Sequence, residues 1–136
     1  MGARRSYPAG ILTVSDRGAS GERTDESGEA AREMLEEAGC TVARREVVPD
    51  EPARIREVLV RWADREGLVL IVTSGGTGLA PRDVTPQATR EVLDYEIPGM
   101  AEAMRAAGLA KTPHAMLSRA LAGVRGRCLI LNLPGS

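Results

Sequence analysis

Between Gly67 and a glycine-rich stretch lies Leu68-Val69-Leu70-Ile71-Val72-Thr73, an apolar run of strand length with no polar alternation. A strand of that kind is satisfied only when both of its faces are covered, which is the situation of a parallel sheet between helical layers. The rest of the chain is organised to match. Gly10 to Ser15 reads as a first, β-branched strand that runs into a polar loop from Asp16 to Gly21. From Asp25 a helix is expected, with Ala30, Ala31, Met34, Leu35 and Ala38 as its apolar stripe, Glu26 and Glu29 in its first turn, and Gly39 as its stop. Cys40 to Val48 returns as a strand. Pro49-Asp50-Glu51-Pro52 then opens a second helix whose stripe is Ile55, Val58, Leu59, Trp62 and Ala63.

After the central strand come a loop from Ser74 to Val84, a helix begun by Thr85-Pro86, and an amphipathic helix through Met100, Met104 and Ala107 begun near Pro98-Gly99. Met116 to Val124 fits helix or strand, while Arg125-Gly126-Arg127 reads as a turn into a last strand, Cys128 to Leu133. These alternations predict one domain over residues 1–136, a three-layer α/β/α sandwich with a mostly parallel sheet and an antiparallel edge hairpin.

Composition excludes several function classes. With 18 basic and 19 acidic residues the net charge is −1, so no basic field exists to hold nucleic acid. Aromatic residues make up 2%, too few to stack bases. No apolar run approaches the roughly 18 residues of a membrane span, and the N-terminus has no signal-like core, so a cytoplasmic location is expected. Cys40 and Cys128 are expected as free, buried thiols.

Right-handed crossovers place every strand-to-helix loop of such a sheet at its carboxyl edge, where open α/β sheets bind ligands. That edge collects Ser15-Asp16, Pro49-Asp50, Ser74 to Asp83, and Leu133-Pro134-Gly135-Ser136. Gly75-Gly76-Thr77-Gly78 can turn backbone N–H groups toward an oxyanion, or can simply be a tight turn; it is not a Walker A loop. Thr85 before Pro86 is expected to cap the following helix, so that the helix does not need Asp83. Asp50 serves either as an N-cap or as a ligand, and Asp25-Glu26-Ser27-Gly28 has the same two readings, a cap or a helix N-terminus offered to a phosphate. Asp50 and Asp83 on neighbouring loops suit Mg²⁺, which takes one or two carboxylates and completes its shell with phosphate and water. His114, the one histidine, has no partners for a triad or a metal site.

Taken together, six ordered motifs resemble the molybdopterin adenylyltransferase family of molybdenum cofactor biosynthesis, which includes the related domain of gephyrin. They are Ile11 to Asp16, Asp25 to Gly28, Val48-Pro49-Asp50, Thr73 to Thr85, Ile97 to Arg105, and Met116 to Ala120 followed by Leu131 to Ser136. The resemblance implies transfer of AMP from Mg·ATP to molybdopterin with release of pyrophosphate, in a homotrimer or a hexamer, upstream of a metal-insertion protein. By position it implies Asp50 and Asp83 as catalytic and Mg²⁺-binding residues, and Gly75, Gly76, Thr77 and Gly78 as the phosphate site. It further implies substrate contacts from Ser15, Asp16, Asp25, Ser27, Gly28, Ser74, Glu102, Ser118, Arg119, Pro134, Gly135 and Ser136; the charge that develops toward pyrophosphate makes Arg82 or Arg119 candidate helpers. Some relatives bind the pterin without transferring AMP, so a pterin carrier is the alternative. Family members usually continue past the Leu-Pro-Gly-Ser turn into a C-terminal helix, so either the sequence is shortened here or this member is expected to lack that helix.

Overall fold

The computed structural model describes residues 6–22 and 24–133. Its elements are β1 (Tyr7–Val14), α1 (Asp16–Ala19), α2 (Glu26–Glu37), β2 (Cys40–Val48), α3 (Pro52–Val60, continued by a π turn at Arg61–Arg65) and β3 (Leu70–Ser74). They continue as α4 (Thr85–Val92), β4 (Tyr95–Glu96), α5 (Pro98–Leu109), a 3₁₀ turn (Pro113–Leu117), β5 (Ala122–Arg125) and β6 (Cys128–Leu133). One sheet orders the strands β2-β1-β3-β6-β5-β4. β1 pairs in parallel with β2 and β3, and β3 with β6, whereas β5 runs antiparallel to β6 and to β4.

Strand alternation sorts the apolar residues onto two faces. Leu12, Val14, Ile71 and Ile130 meet α3 and α4 through Ile55, Leu59, Trp62, Ala88 and Val92. Ile11, Val72 and Leu131 point the other way, toward Ala31 and Leu35 of α2. Helices therefore cover both faces and the expected three-layer sandwich is present. β3 lies between two parallel neighbours, with Ile71, Val72 and Thr73 at most 1% exposed, as its unbroken apolar run requires. The hairpin of β5 and β6 also forms, closed by Gly126-Arg127. Among the described residues no helix is long and apolar enough to cross a membrane.

Several elements depart from the sequence expectation. β1 starts at Tyr7, ahead of Gly10, because β2 and β3 on either side supply partners to its first residues. The first turn of the Asp16 loop is helical, since the Ser15 hydroxyl accepts from Gly18 N–H at 3.0 Å. α2 buries Gly28, Ala31 and Leu35 and leaves Met34 49% exposed, so its core stripe is narrower than read. α5 buries Ala101 alone; Met100 and Met104 are half-buried and Ala107 is exposed. Cys128 is buried but Cys40 is only partly so, and neither is in a disulfide. α4 is capped at Val84, with no side-chain cap, so Thr85 does not fill the role its place before proline suggests.

The chain's one asparagine ties the sheet to its connections. Asn132 on β6 is fully buried; its Nδ2 donates to Thr73 Oγ1 at 2.9 Å and Thr89 Oγ1 at 3.0 Å, and its Oδ1 accepts from Leu121 N–H at 3.1 Å. Every buried polar atom of that side chain has a partner, so the network fixes β3, α4 and the entry to β5 relative to one another.

Candidate functional site

The β3–α4 loop turns back over the sheet edge through two consecutive left-handed glycines, Gly75 at φ +97° and Gly76 at φ +70°. A side chain at either position is excluded twice, by backbone conformation and by space. A Cβ on Gly75 would strike the Val14 carbonyl, and one on Gly76 would strike Thr85 Oγ1. Arg119 holds the loop from behind: Nε donates to the Gly78 carbonyl at 2.8 Å, Nη2 to the Asp83 carbonyl at 2.6 Å, and its backbone N–H to the Thr77 carbonyl at 2.9 Å. Asp83 closes the far end, its Oδ2 accepting from Ala80 N–H at 3.0 Å.

Beside this loop, β1–α1 and β2–α3 are joined by a reciprocal pair. Asp16 N–H donates to Asp50 Oδ2 at 3.0 Å, and Asp50 N–H donates to Asp16 Oδ1 at 2.9 Å. Arg82 reaches across from the glycine loop and grips Asp16 with two bonds, Nε to Oδ2 at 3.0 Å and Nη2 to Oδ1 at 2.7 Å. Three loops distant in sequence thus converge on one edge. Hydrogen bonding from Arg82 and from the Asp50 backbone holds the Asp16 carboxyl below its ordinary range. Asp50 moves the other way: burial pushes its carboxyl up, the negative charges of Asp16 and Asp83 add to the rise, and the Asp16 N–H bond and Arg82 offset part of it.

Thr85 adds an atom the sequence did not advertise. It is fully buried, its backbone N–H donates to the Gly76 carbonyl at 3.1 Å, and its hydroxyl has no hydrogen-bond partner. Leaving such a group unpaired costs about 1–3 kcal/mol. Among the described residues no three Asp, Glu, His or Cys side chains come together as a metal cage. A cation here would therefore rest on one or two carboxylates, as Mg²⁺ does when phosphates and water complete its shell. Asp50, Asp83 and the unpaired Thr85 hydroxyl offer hard oxygen donors alone, and that set fits a hard divalent ion.

The expected site residues divide among three hollows. Gly76, Thr77, Gly78, Asp83 and Ser118 line a cleft of about 770 Å³ whose far wall is Gly108, Lys111, His114 and Leu117. Ser15, Asp25, Ser27, Ser74 and Gly75 border a second, of about 490 Å³, at the start of α2. Glu102 and Arg119 face a third, of about 410 Å³, with Arg90 and Arg105; Ser118 borders both this and the first. Asp16 and Asp50 stand at the edge between loops. Asp25 is largely spoken for: Oδ1 caps α2 from Gly28 N–H at 3.0 Å and accepts from Thr13 Oγ1 at 2.8 Å, while Arg45 pairs with Oδ2 at 3.1 Å. Its capping reading stands, and Gly28 is glycine because a Cβ there would enter that carboxylate. Pro134, Gly135 and Ser136 lie outside the described residues.

Residues 10–136 match the family model described as "Probable molybdopterin binding domain". The chain is 43% identical over 128 residues to the molybdopterin adenylyltransferase of Helicobacter pylori J99, an alignment covering 93% of this chain and 73% of that protein. It is 44% identical over 132 residues to the molybdenum cofactor synthesis protein cinnamon of Drosophila melanogaster, covering 96% of this chain but 22% of that much longer protein. In structure it is similar to the molybdopterin biosynthesis enzyme MoaB of Thermus thermophilus, with a TM-score of 0.88, 65% identity, and 96% and 82% of the two chains covered.

Proposed function

The chain belongs to the molybdopterin-binding domain family, and from that premise we propose that it transfers the adenylyl group of Mg·ATP to molybdopterin. The observation that supports this reading is that Asp50 and Asp83, from separate loops, flank one glycine turn, Asp50 beside Gly76 and Asp83 beside Gly78, where the turn borders the largest of the three clefts. In the reaction an oxygen of the pterin's terminal phosphate attacks the α-phosphorus of ATP. The new P–O bond forms as the bond to the bridging oxygen breaks, and pyrophosphate leaves with that electron pair.

The nucleophile is already an anion, so the protein's task is to position reactants and offset charge. Backbone N–H groups of Gly75 to Gly78 would bind the phosphates, in a loop that Arg119 keeps in shape through the Gly78 and Asp83 carbonyls. Asp50 and Asp83 are the residues that would hold Mg²⁺, which would offset charge developing on the leaving pyrophosphate. Ser15, Ser27 and Ser74 line the smaller cleft beside the turn, and Ser118 links the main cleft to the hollow of Glu102 and Arg119. Arg82 holds Asp16, and Asp16 in turn fixes the loop that bears Asp50. The same reading makes the chain a cytoplasmic homo-oligomer, a trimer before a hexamer, that supplies adenylylated pterin to a metal-insertion protein.

The test is pyrophosphate release by the purified protein with molybdopterin, ATP and Mg²⁺. Release should require the pterin and fall at least a hundredfold in Asp83→Asn, about the scale of one lost electrostatic group in a preorganised site, while pterin binding persists. Pterin binding without pyrophosphate would make the protein a carrier instead.

A further inference from the structure

Two side-chain oxygens from different loops approach one α-carbon in this site. Asp50 is anchored through Oδ2, which accepts from Asp16 N–H at 3.0 Å; its Oδ1 lies 3.3 Å from where a Cβ on Gly76 would stand, with the Thr85 hydroxyl against the same point. That hydroxyl is one of two buried side-chain polar atoms without a partner among the described residues, and the other, Trp62 Nε1, belongs to a residue of the apolar core. Buried polar groups in folded proteins are nearly always paired, so an orphan beside a carboxylate calls for a reason. Helix capping does not provide one, because α4 is capped at Val84 with no side-chain bond. Neither does space-filling: valine has the same shape without the hydroxyl. A threonine hydroxyl can donate one hydrogen bond, and a charged carboxylate oxygen accepts it.

We propose that Thr85 is the positioning residue for Asp50: its hydroxyl, which has no partner in this structure, would donate across Gly76 to Asp50 Oδ1 and fix the carboxylate when a divalent cation is held there. This explains why residue 76 must be glycine for a second reason besides its φ. Any side chain there would stand between the two oxygens. Such a bond would be charge-assisted and would draw on a buried donor, so it would weigh more than one between neutral groups. The inference rests on the cation site of the proposed reaction but not on the transfer step itself.

The experiment titrates Mn²⁺ into the complete chain in the presence of ATP, following free Mn²⁺ by electron paramagnetic resonance, for wild type, Thr85→Val and Thr85→Ser. Thr85→Val is expected to bind Mn²⁺ about tenfold more weakly, the scale of one hydrogen bond to a charged group, and Thr85→Ser to restore most of the affinity. Without added metal, thermal unfolding of Thr85→Val should stand at or above wild type, since the hydroxyl is then unpaired and a methyl replaces it. Wild-type Mn²⁺ affinity in Thr85→Val would overturn the proposal, as would a marked fall in its melting temperature, which would mean that the hydroxyl is structural. Wild-type protein that binds no Mn²⁺ would overturn it together with the cation site. Pyrophosphate release measured in the same samples separates the two readings: Mn²⁺ binding that depends on Thr85 with no release in wild type would sustain Thr85 and reject adenylyl transfer.

Discussion

Asp50 is held in a state that favours function over stability. Burial is the first cause of its raised pKa, so the folded protein binds a proton there more tightly than the unfolded chain does, starting from an ordinary value of 3.8. Below that unfolded value both states are protonated and the contribution is complete; as pH rises through the folded value it is lost, and near neutrality the charged carboxylate weakens the fold. Asp50→Asn removes the charge while keeping an oxygen for Asp16 N–H. At pH 7 the variant is therefore expected to melt at or above wild type, and at pH 3 to show no such gain, while pterin-dependent pyrophosphate release is lost. Calorimetry at the two pH values checks the sign; a melting temperature below wild type at pH 7 would mean that the Asp50 charge is stabilising. Asp16 has the opposite sign, because Arg82 lowers its pKa and its contribution is present above the unfolded value and lost as pH falls. The positions of Asp50 and Asp83 were legible in sequence because loops of one sheet edge must converge. The Asp16–Arg82 grip was not, since it joins residues 66 apart through side-chain geometry alone. Thr85 departs from its expectation for a related reason: threonine before proline looks like a cap, whereas the backbone places the cap one residue earlier.

At the scale of elements, α2 shows why a cap and a ligand site are hard to tell apart in sequence. Asp25 satisfies Gly28 N–H, receives the Thr13 hydroxyl from β1, and pairs with Arg45 from β2, so one carboxylate joins a helix to two strands. Arg45 also bonds Glu29 at 2.7 Å, and with Arg32 it holds that carboxyl at about 2. Asp25→Ala should lower stability by about 1–2 kcal/mol, the range of a lost N-cap, as read from urea unfolding with an unchanged m-value. A loss of pterin or nucleotide binding with full stability would instead make Asp25 a ligand-contacting residue. Long periodic elements such as α3 were legible from their stripe because burial of Ile55, Val58, Leu59 and Trp62 is what makes that helix stable. α1 and β4 were not, being one helical turn and two residues whose existence depends on a Ser15 cap and on pairing with β5. α2 lost part of its expected stripe, Ala30, Met34 and Ala38, because a helix on one sheet face buries a narrower arc than small apolar residues suggest.

For the whole molecule, the unbroken run of β3 and the alternation of elements foretold a sheet covered on both faces. The strand order was beyond sequence reach because it depends on which edge each crossover takes. What the fold leaves uncovered is equally specific. α5 lies beside the 3₁₀ turn and β5 at the antiparallel side of the sheet, where it buries Ala101 and leaves Ala103, Ala106, Ala107 and Ala110 exposed. Leu109 next to them is 46% exposed and Met116 64%. An apolar helix face of small residues lets another backbone approach closely, and that is how a helix with so little burial in its own chain gains stability in an assembly. If the chain assembles as the trimer proposed above, light scattering behind size exclusion gives a mass near three times the 14.5 kDa chain. Ala107→Glu places a charge on that face without touching the described core, so it should dissociate the assembly while circular dichroism stays native. A lower melting temperature that rises with protein concentration in wild type, but not in the variant, would tie the loss to association. A wild-type monomer at micromolar concentration would reject assembly through α5 and leave its apolar face for some other occupant.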